Sequence, residues 1–364
     1  MLDVVHIGLI GCGRATETRH LPALARLSNA EVVSLADINP SPLHHLADRF
    51  GIKQRHLDYR RLLDDPSIDA VAVCVPAQSH VEVALAAMKA GKHVFIEKPL
   101  AIGLDDSERI IALAAKYPQL KVMVGLNMRW HRLIRKARAM IQDGALGNIE
   151  SIRSVLTSYH ASVPDWGSWR SSGGGALFEL AVHHVDLWRY LLGCEVEEVF
   201  AASRSVHWDD EYAALTARMT DGTSVSSVFS QRSSELNEIE IYGDNGRLSI
   251  SCYEFDGLEY VSRGRYPGDI RARLSKVLHL LGELPLGVRT LVGGGEFFAS
   301  YRAEWQHFLD AIYRNNALAE GTLLDGQRSL EVVLAAIASS CLRRPVKISE
   351  APRSVSALGR HSSH

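Results

Sequence analysis

Apolar, β-branched runs recur through the first third of the chain: Val4 to Ile10, Glu31 to Asp37 (EVVSLAD), Asp69 to Val75 (DAVAVCV), HVFIEK, and Val122 to Leu126. A strand with one wet face alternates apolar and polar residues. These runs are nearly continuous, which predicts strands covered on both faces. Between them lie helical segments. Ser41 to Phe50 has Ser41 as its expected N-cap and Gly51 as its stop; Ser79 to Ala90 is closed by Gly91; another lies around Leu104 to Lys116. Buried strands alternating with short helices imply βαβ units, hence a parallel sheet with helices on both faces. After the first strand, Pro22 suggests that helix proper begins near Leu21, with an irregular stretch from Arg14 to His20, because proline is tolerated in a first helical turn but not mid-helix.

The pattern changes after about residue 125. Ile149 to Ser158 reads as a strand with partial alternation. The turns DGT at 221–223 and DNG at 244–246 sit between β-prone runs, a strong hairpin signal. The second half is therefore expected to carry a large, open, mainly antiparallel sheet. Helices can cover one face and leave the other to pair with a second subunit. IRARLSKVLHLLGEL has helical spacing and an apolar stripe suited to core or subunit packing; the glycines at 293–295 read as a flexible connection, and Asp325 to Leu342 as a long final helix. The division expected is 1–126, 127–350 and a polar tail at 351–364.

With 364 residues, 46% of them hydrophobic, the chain can build two cores. A formal net charge of −2, with Lys and Arg scattered, gives no reason to expect nucleic acid as a partner. No window approaches a membrane span, and the N-terminus lacks a signal peptide pattern. Five widely spaced cysteines, none in a CxxC pair, fit reduced thiols and a cytoplasmic protein.

IGLIGCGRAT puts Gly11 and Gly13 at the end of the first strand, with Arg14 next in the loop. Gly11 permits a tight turn and Gly13 lets a pyrophosphate approach the backbone, while Thr16 replaces the third glycine of GxGxxG. Asp37 ends the next strand, where a carboxylate can bind ribose hydroxyls and repel a 2′-phosphate. No Arg or Lys follows at once, so NAD is expected rather than NADP. HVFIEKP ends a later strand of the same sheet, and ligands of open α/β sheets sit outside the carboxyl ends of strands. Glu97 and Lys98 occupy such an end. A lysine beside a nicotinamide cation can exchange protons, and Pro99 fixes the turn, through a cis bond if the chain requires it. Pro76 and His80 follow the third of these runs and should border the cofactor; Asn127 follows the last.

GLIGCGR, ADIN, VCVPAQSH and GKHVFIEKPLA, in that order, resemble the family of glucose-fructose oxidoreductase and inositol dehydrogenase, for which EKP is a specific short motif. GGGALFELAVHHVDLWRYLLG at 173–193 resembles that family's second signature, and GLNMRW at 125–130 its domain junction. The resemblance implies a Rossmann domain followed by an α/β domain with a large open sheet. It also implies homodimers or homotetramers through that sheet, and NAD(P)-dependent oxidation of a sugar, polyol or nucleotide-sugar hydroxyl. It assigns Lys98 and His183 to the proton of that hydroxyl. Glu179 stands where the family more often has Asp. Glu97 would serve the nicotinamide ribose.

If Ala176 to Leu192 is a helix, spacings of four and three put Glu179, His183 and Asp186 on one face, continued by Tyr190. His184 reads as an ordinary polar residue at the helix edge. Trp166, Trp169 and Arg170, in DWGSWRSSGGG, are candidate sugar contacts, an aromatic face stacking on an apolar sugar face and Arg binding oxygens. Two other readings stand beside the oxidoreductase: a cofactor-binding sensor or regulator of the same fold, and a metal-dependent hydrolase with Glu179, His183 and Asp186 as ligands. No HxH or HExxH pattern supports the metal.

Overall fold

The computed structural model describes residues 4–266 and 269–358. These divide into two compact units. The first holds residues up to Asn127, Ser171–Gly173 and Tyr301–Leu330; the second holds Met128–Arg170, Gly174–Ser300 and the residues from Glu331 on. The chain thus crosses at residue 127 and returns to the first unit through 301–330.

In the first unit, six parallel strands run in the order β3-β2-β1-β4-β5-β6. They are β1 (Val5–Ile10), β2 (Ala30–Ala36), β3 (Gln54–His56), β4 (Ala70–Val73), β5 (His93–Glu97) and β6 (Val122–Gly125). Four of these five expected runs give β1, β2, β5 and β6 almost residue for residue; β4 is shorter than DAVAVCV. β3 was missed because QRH carries no apolar signal. Helices α1 (Leu21–Leu24), α2 (Pro40–Phe50), α3 (Tyr59–Leu63), α4 (His80–Lys89) and α5 (Leu104–Ala114) connect the strands.

The stretch before Leu21 is not irregular: helix begins directly after the glycine loop, and Thr16–His20 form a π-turn that leads into α1. The wider turn accommodates Pro22, whose ring would crowd a carbonyl of a regular α-helix. The N-cap of α2 is Asn39, not Ser41: the Asn39 side chain accepts the Ser41 N–H, and Pro40 takes the first helical position, where its missing N–H is no loss. Gly51 does stop α2, at φ 70°.

Residues 301–330 complete this unit because they supply aromatic side chains to its sheet. Trp305 stacks on Phe95 with ring centroids 4.4 Å apart, and Phe308 packs edge-on to both. Aromatic pairs in such geometry add to the area they bury.

The second unit is built on an eight-stranded sheet, β13-β12-β11-β7-β10-β9-β8-β14. The strands are β7 (Ile149–Tyr159), β8 (Val196–Arg204), β9 (Tyr212–Met219), β10 (Ser224–Ser230), β11 (Arg232–Gly243), β12 (Gly246–Ser251), β13 (Leu258–Ser262) and β14 (Val346–Lys347). All pair antiparallel except β7 with β10. DGT joins β9 to β10 and DNG joins β11 to β12, as expected. Helices α6 (Arg132–Gln142) and α7 (Val182–Leu192) belong wholly to this unit, and Trp188 of α7 donates its indole N–H to Ser154 on β7 at 3.2 Å.

The expected helix in 261–295 is α8 (Ile270–Val292), followed by α9 (Glu296–Tyr313) after Gly294 and Gly295 at positive φ; α10 (Leu323–Leu342) is the final long helix. Packing within the chain does not absorb the stripe of α8: Ile270, Leu274, Val277, Leu278 and Leu281 are each more than half exposed. Glu283 ties this helix to Arg132 and Lys136. In the tail, Val355–Leu358 form a 3-10 turn; residues 359–364 lie outside the described residues. No helix among the described residues is long and apolar enough to cross a membrane.

Candidate active site

Gly11 ends β1 at φ 101°, and a Cβ there would lie 2.4 Å from the carbonyl oxygen of Cys74. Only glycine lets β1 and β4 approach this closely. Gly13 is different: a Cβ on it meets nothing within 4 Å. The loop is tight below and open above, which is the cradle a pyrophosphate requires. Thr16 explains the departure from GxGxxG. Fully buried, it donates its hydroxyl to the Gly11 carbonyl at 2.6 Å, so a side-chain bond secures the turn at the position where a third glycine would aid packing.

Asp37, just past β2, holds the loop from the other side. Its carboxylate accepts the Cys12 N–H at 2.7 Å and the Asn39 N–H at 2.8 Å. Burial, with Asp37 and Cys74 nearby, pushes the Cys12 thiol up to about 12, so it stays protonated and unreactive. Arg14 is exposed beside the loop.

At the end of β5 a buried chain of hydrogen bonds converges on the Glu97–Lys98 pair. The Trp305 indole N–H donates to His20 Nδ1 at 3.1 Å, and His20 Nε2 donates to Glu97 at 2.9 Å. The other Glu97 oxygen accepts the Lys98 backbone N–H at 3.0 Å. An indole only donates, so His20 carries its proton on Nε2, toward Glu97. Burial opposes charge on Glu97, but the His20 bond and Lys98 outweigh it and hold the carboxyl below its usual range. Lys98 is half-buried, and its bond to Pro99 is cis.

His80 does not border an open site. It is buried, and its ring nitrogens face the carbonyls of Pro99 (2.8 Å) and Val75 (2.9 Å). It links the EKP turn to the loop after β4. Pro76 is half-buried in this loop, and Asn127 is buried in the turn after β6.

The second unit carries Trp169, Arg170, Glu179 and His183. Gly174 and Gly175 admit close backbone: a Cβ on Gly174 would lie 2.2 Å from Gly167 O, and one on Gly175, at φ 88°, 2.6 Å from Asp209 O. Leu177–Ala181 then form a second π-turn that runs into α7. Glu179 and His183 are both half-buried, whereas Asp186 does not share their face. It is turned inward, gripped by Arg129 through two bonds (2.7 and 2.5 Å) with Arg189 at 3.6 Å. Tyr190 is likewise buried, with Arg138 3.9 Å over its ring. A buried bidentate pair of this kind is structural, which removes Asp186 as a metal ligand. Among the described residues no group of three His, Cys, Asp or Glu could hold a metal ion.

His184 is not at the edge either. It is fully buried and hydrogen-bonded to Asn237 at 3.0 Å. Trp169 is exposed, at 59%. Arg170 is already engaged: it bonds Asp210 at 3.0 Å and Cys341 Sγ at 3.3 Å, so it anchors its own loop rather than offering a free guanidinium. Sequence reading missed Thr16, His20, Trp305, Gln231 and Arg129. Thr16 and Arg129 lie within the IGLIGCGRAT and GLNMRW segments, but their roles, like those of the other three, emerge only when the fold brings them to their partners.

A parallel sheet of order 3-2-1-4-5-6, a glycine loop after β1 and an acid after β2 define a Rossmann dinucleotide-binding protein. Residues 5–126 match the oxidoreductase family with NAD-binding Rossmann fold, and residues 134–249 match the GFO/IDH/MocA C-terminal domain. Myo-inositol 2-dehydrogenase of Thermotoga maritima is 30% identical over 349 residues, covering 95% of this chain and 99% of that protein. The chain belongs to the GFO/IDH/MocA family of NAD-binding oxidoreductases. A solved probable dehydrogenase from Thermotoga maritima matches with a TM-score of 0.77 at 25% identity, over 96% of this chain and all of that one. The scyllo-inositol dehydrogenase of Lactobacillus casei, solved with NAD(H) and scyllo-inositol, shares the fold, with a TM-score of 0.76 at 22% identity over 95% of this chain and all of that one.

Proposed function

We propose that this protein oxidises a hydroxyl of a sugar-like or polyol substrate, reversibly, with NAD as hydride acceptor. The observation that carries this reading is the Lys98 turn, held at the carboxyl end of β5 by the Trp305–His20–Glu97 chain, on the same edge of the sheet as an open glycine loop. When bound, NAD takes up or returns the hydride. Gly11, Gly13 and Arg14 would border its phosphates, Asp37 its adenine ribose, and Pro76, Glu97 and Asn127 its nicotinamide half. Lys98 polarises the substrate oxygen. His183 takes the hydroxyl proton, as the family resemblance assigns, and Glu179 supplies charge beside it. Trp169 serves as an apolar platform for the substrate. The inositol dehydrogenases among the relatives support a polyol as substrate.

The open face of the eight-stranded sheet is our candidate for a homodimer or homotetramer contact. It presents Phe200, 40% exposed, in a shallow recess of about 580 Å³. Five unbridged cysteines support a reducing compartment, and we propose the cytoplasm.

The test pairs NADH and NADPH titrations, read by energy transfer from tryptophan, with a turnover screen over myo-inositol, scyllo-inositol, levoglucosan and L-sorbose. NADH should bind at least tenfold tighter than NADPH, about 1.4 kcal/mol. Lys98→Met should abolish turnover while changing NADH affinity little. Preference for NADPH removes the role given to Asp37; unchanged turnover in Lys98→Met removes Lys98 from the chemistry. Tight NADH binding with no turnover on any alcohol favours a sensor.

A further inference from the structure

Gln231 sits between β10 and β11, fully buried, and its backbone is pinned on both sides. Its N–H donates to Glu211 O and its carbonyl accepts the His160 N–H, each at 2.9 Å. Its side chain bridges two others. The Trp208 indole N–H donates to Gln231 Oε1 at 2.7 Å, and Gln231 Nε2 donates to Glu179 Oε2 at 2.7 Å.

The order of donors follows from chemistry. An indole has only a proton to give, so the amide oxygen must face Trp208 and the amide N–H₂ must face Glu179. The carboxyl of Glu179 therefore meets a fixed donor, which favours its ionised form. The same logic ends on Glu97 in the first unit, where an indole and an imidazole replace the indole and the amide.

We infer that Gln231 is a positioning residue, which holds Glu179 in one orientation as a charged acceptor. The inference rests on the proposed role of Glu179. The glutamate side chain, one methylene longer than aspartate, carries its carboxylate to the Gln231 amide. Other titratable or charged groups near this pair are His183, which follows on the helix that continues from Glu179, Glu211 with its partner His207 (2.9 Å), Arg232 next to Gln231, and His160 at the end of β7.

The test is a carboxylate titration by difference infrared spectroscopy, without substrate, with Glu179→Gln identifying the band. Gln231→Glu keeps the acceptor for Trp208 and the volume, but sets a second carboxyl against Glu179. Two carboxyls at hydrogen-bond distance share a proton. The Glu179 titration should rise by about one pH unit or more, with NADH affinity unchanged. A Glu179 titration that stays where the wild type has it overturns the inference. Should Gln231→Glu fail to fold, Gln231→Met is the substitute: with the amide donor gone, the same Glu179 band should titrate at higher pH than in the wild type, and an unchanged titration overturns the inference equally. The reading beneath it fails separately: unaltered turnover in Glu179→Gln removes Glu179 from the site, whatever Gln231 does to its titration.

Discussion

His183 and His184 are neighbours with opposite surroundings, and the buried one yields a stability prediction that can be worked through. His184 is fully enclosed, packs edge-on to Phe229 with ring centroids 5.7 Å apart, and has the Asn237 Oδ1 as hydrogen-bond partner. Burial lowers its pKa from 6.5 to about 4, with the Asn237 bond only partly opposing. The folded value lies below the unfolded one, so protons favour the unfolded chain. The contribution is complete above about pH 6.5 and is lost as pH falls toward 4. A shift of this size, at about 1.36 kcal/mol per unit, amounts to roughly 3 kcal/mol across that window. The assay is urea unfolding at closely spaced pH values, on the wild type and on His184→Leu. Carboxylates, and also His80 and His131, both of which burial holds low, titrate in both proteins and cancel in the difference. The wild type should lose about 3 kcal/mol more than the variant between pH 6.5 and 4. Parallel curves would mean that His184 reaches water, and would refute the burial argument.

Two more substitutions test the architecture of the site. Thr16→Val keeps shape but leaves the Gly11 carbonyl without its donor; denaturant unfolding should show a loss of about 1–3 kcal/mol, with weaker NADH binding in the same titration used above. Asp186→Ala leaves the Arg129 guanidinium buried without the carboxylate that grips it, and should destabilise by about 3–5 kcal/mol in the same assay, against near-neutral substitution at exposed Arg14.

The change from a parallel to a mainly antiparallel sheet was legible in the residues. Unbroken apolar runs separated by helices leave a parallel sheet as the arrangement that covers both faces of each strand. DGT and DNG name their hairpins because those turns need residues that accept positive φ. Gly11, Gly13 and Asp37 were legible for the same reason: one short segment holds the whole constraint. The rest of the site depends on partners far apart in the chain. Spacing put Glu179, His183 and Asp186 on one face, yet Asp186 is buried in the grip of Arg129 while Glu179 and His183 stay half-buried. His80 and Arg170 looked like contacts for ligand, but main-chain carbonyls claim the first and Asp210 with Cys341 claims the second. Trp305 reaches His20 across 285 residues, and Gln231 reaches Glu179 across 52. Local propensity carries no trace of such pairings, because a buried donor is satisfied by whichever acceptor the fold brings near, and that is settled only when the chain has closed on itself.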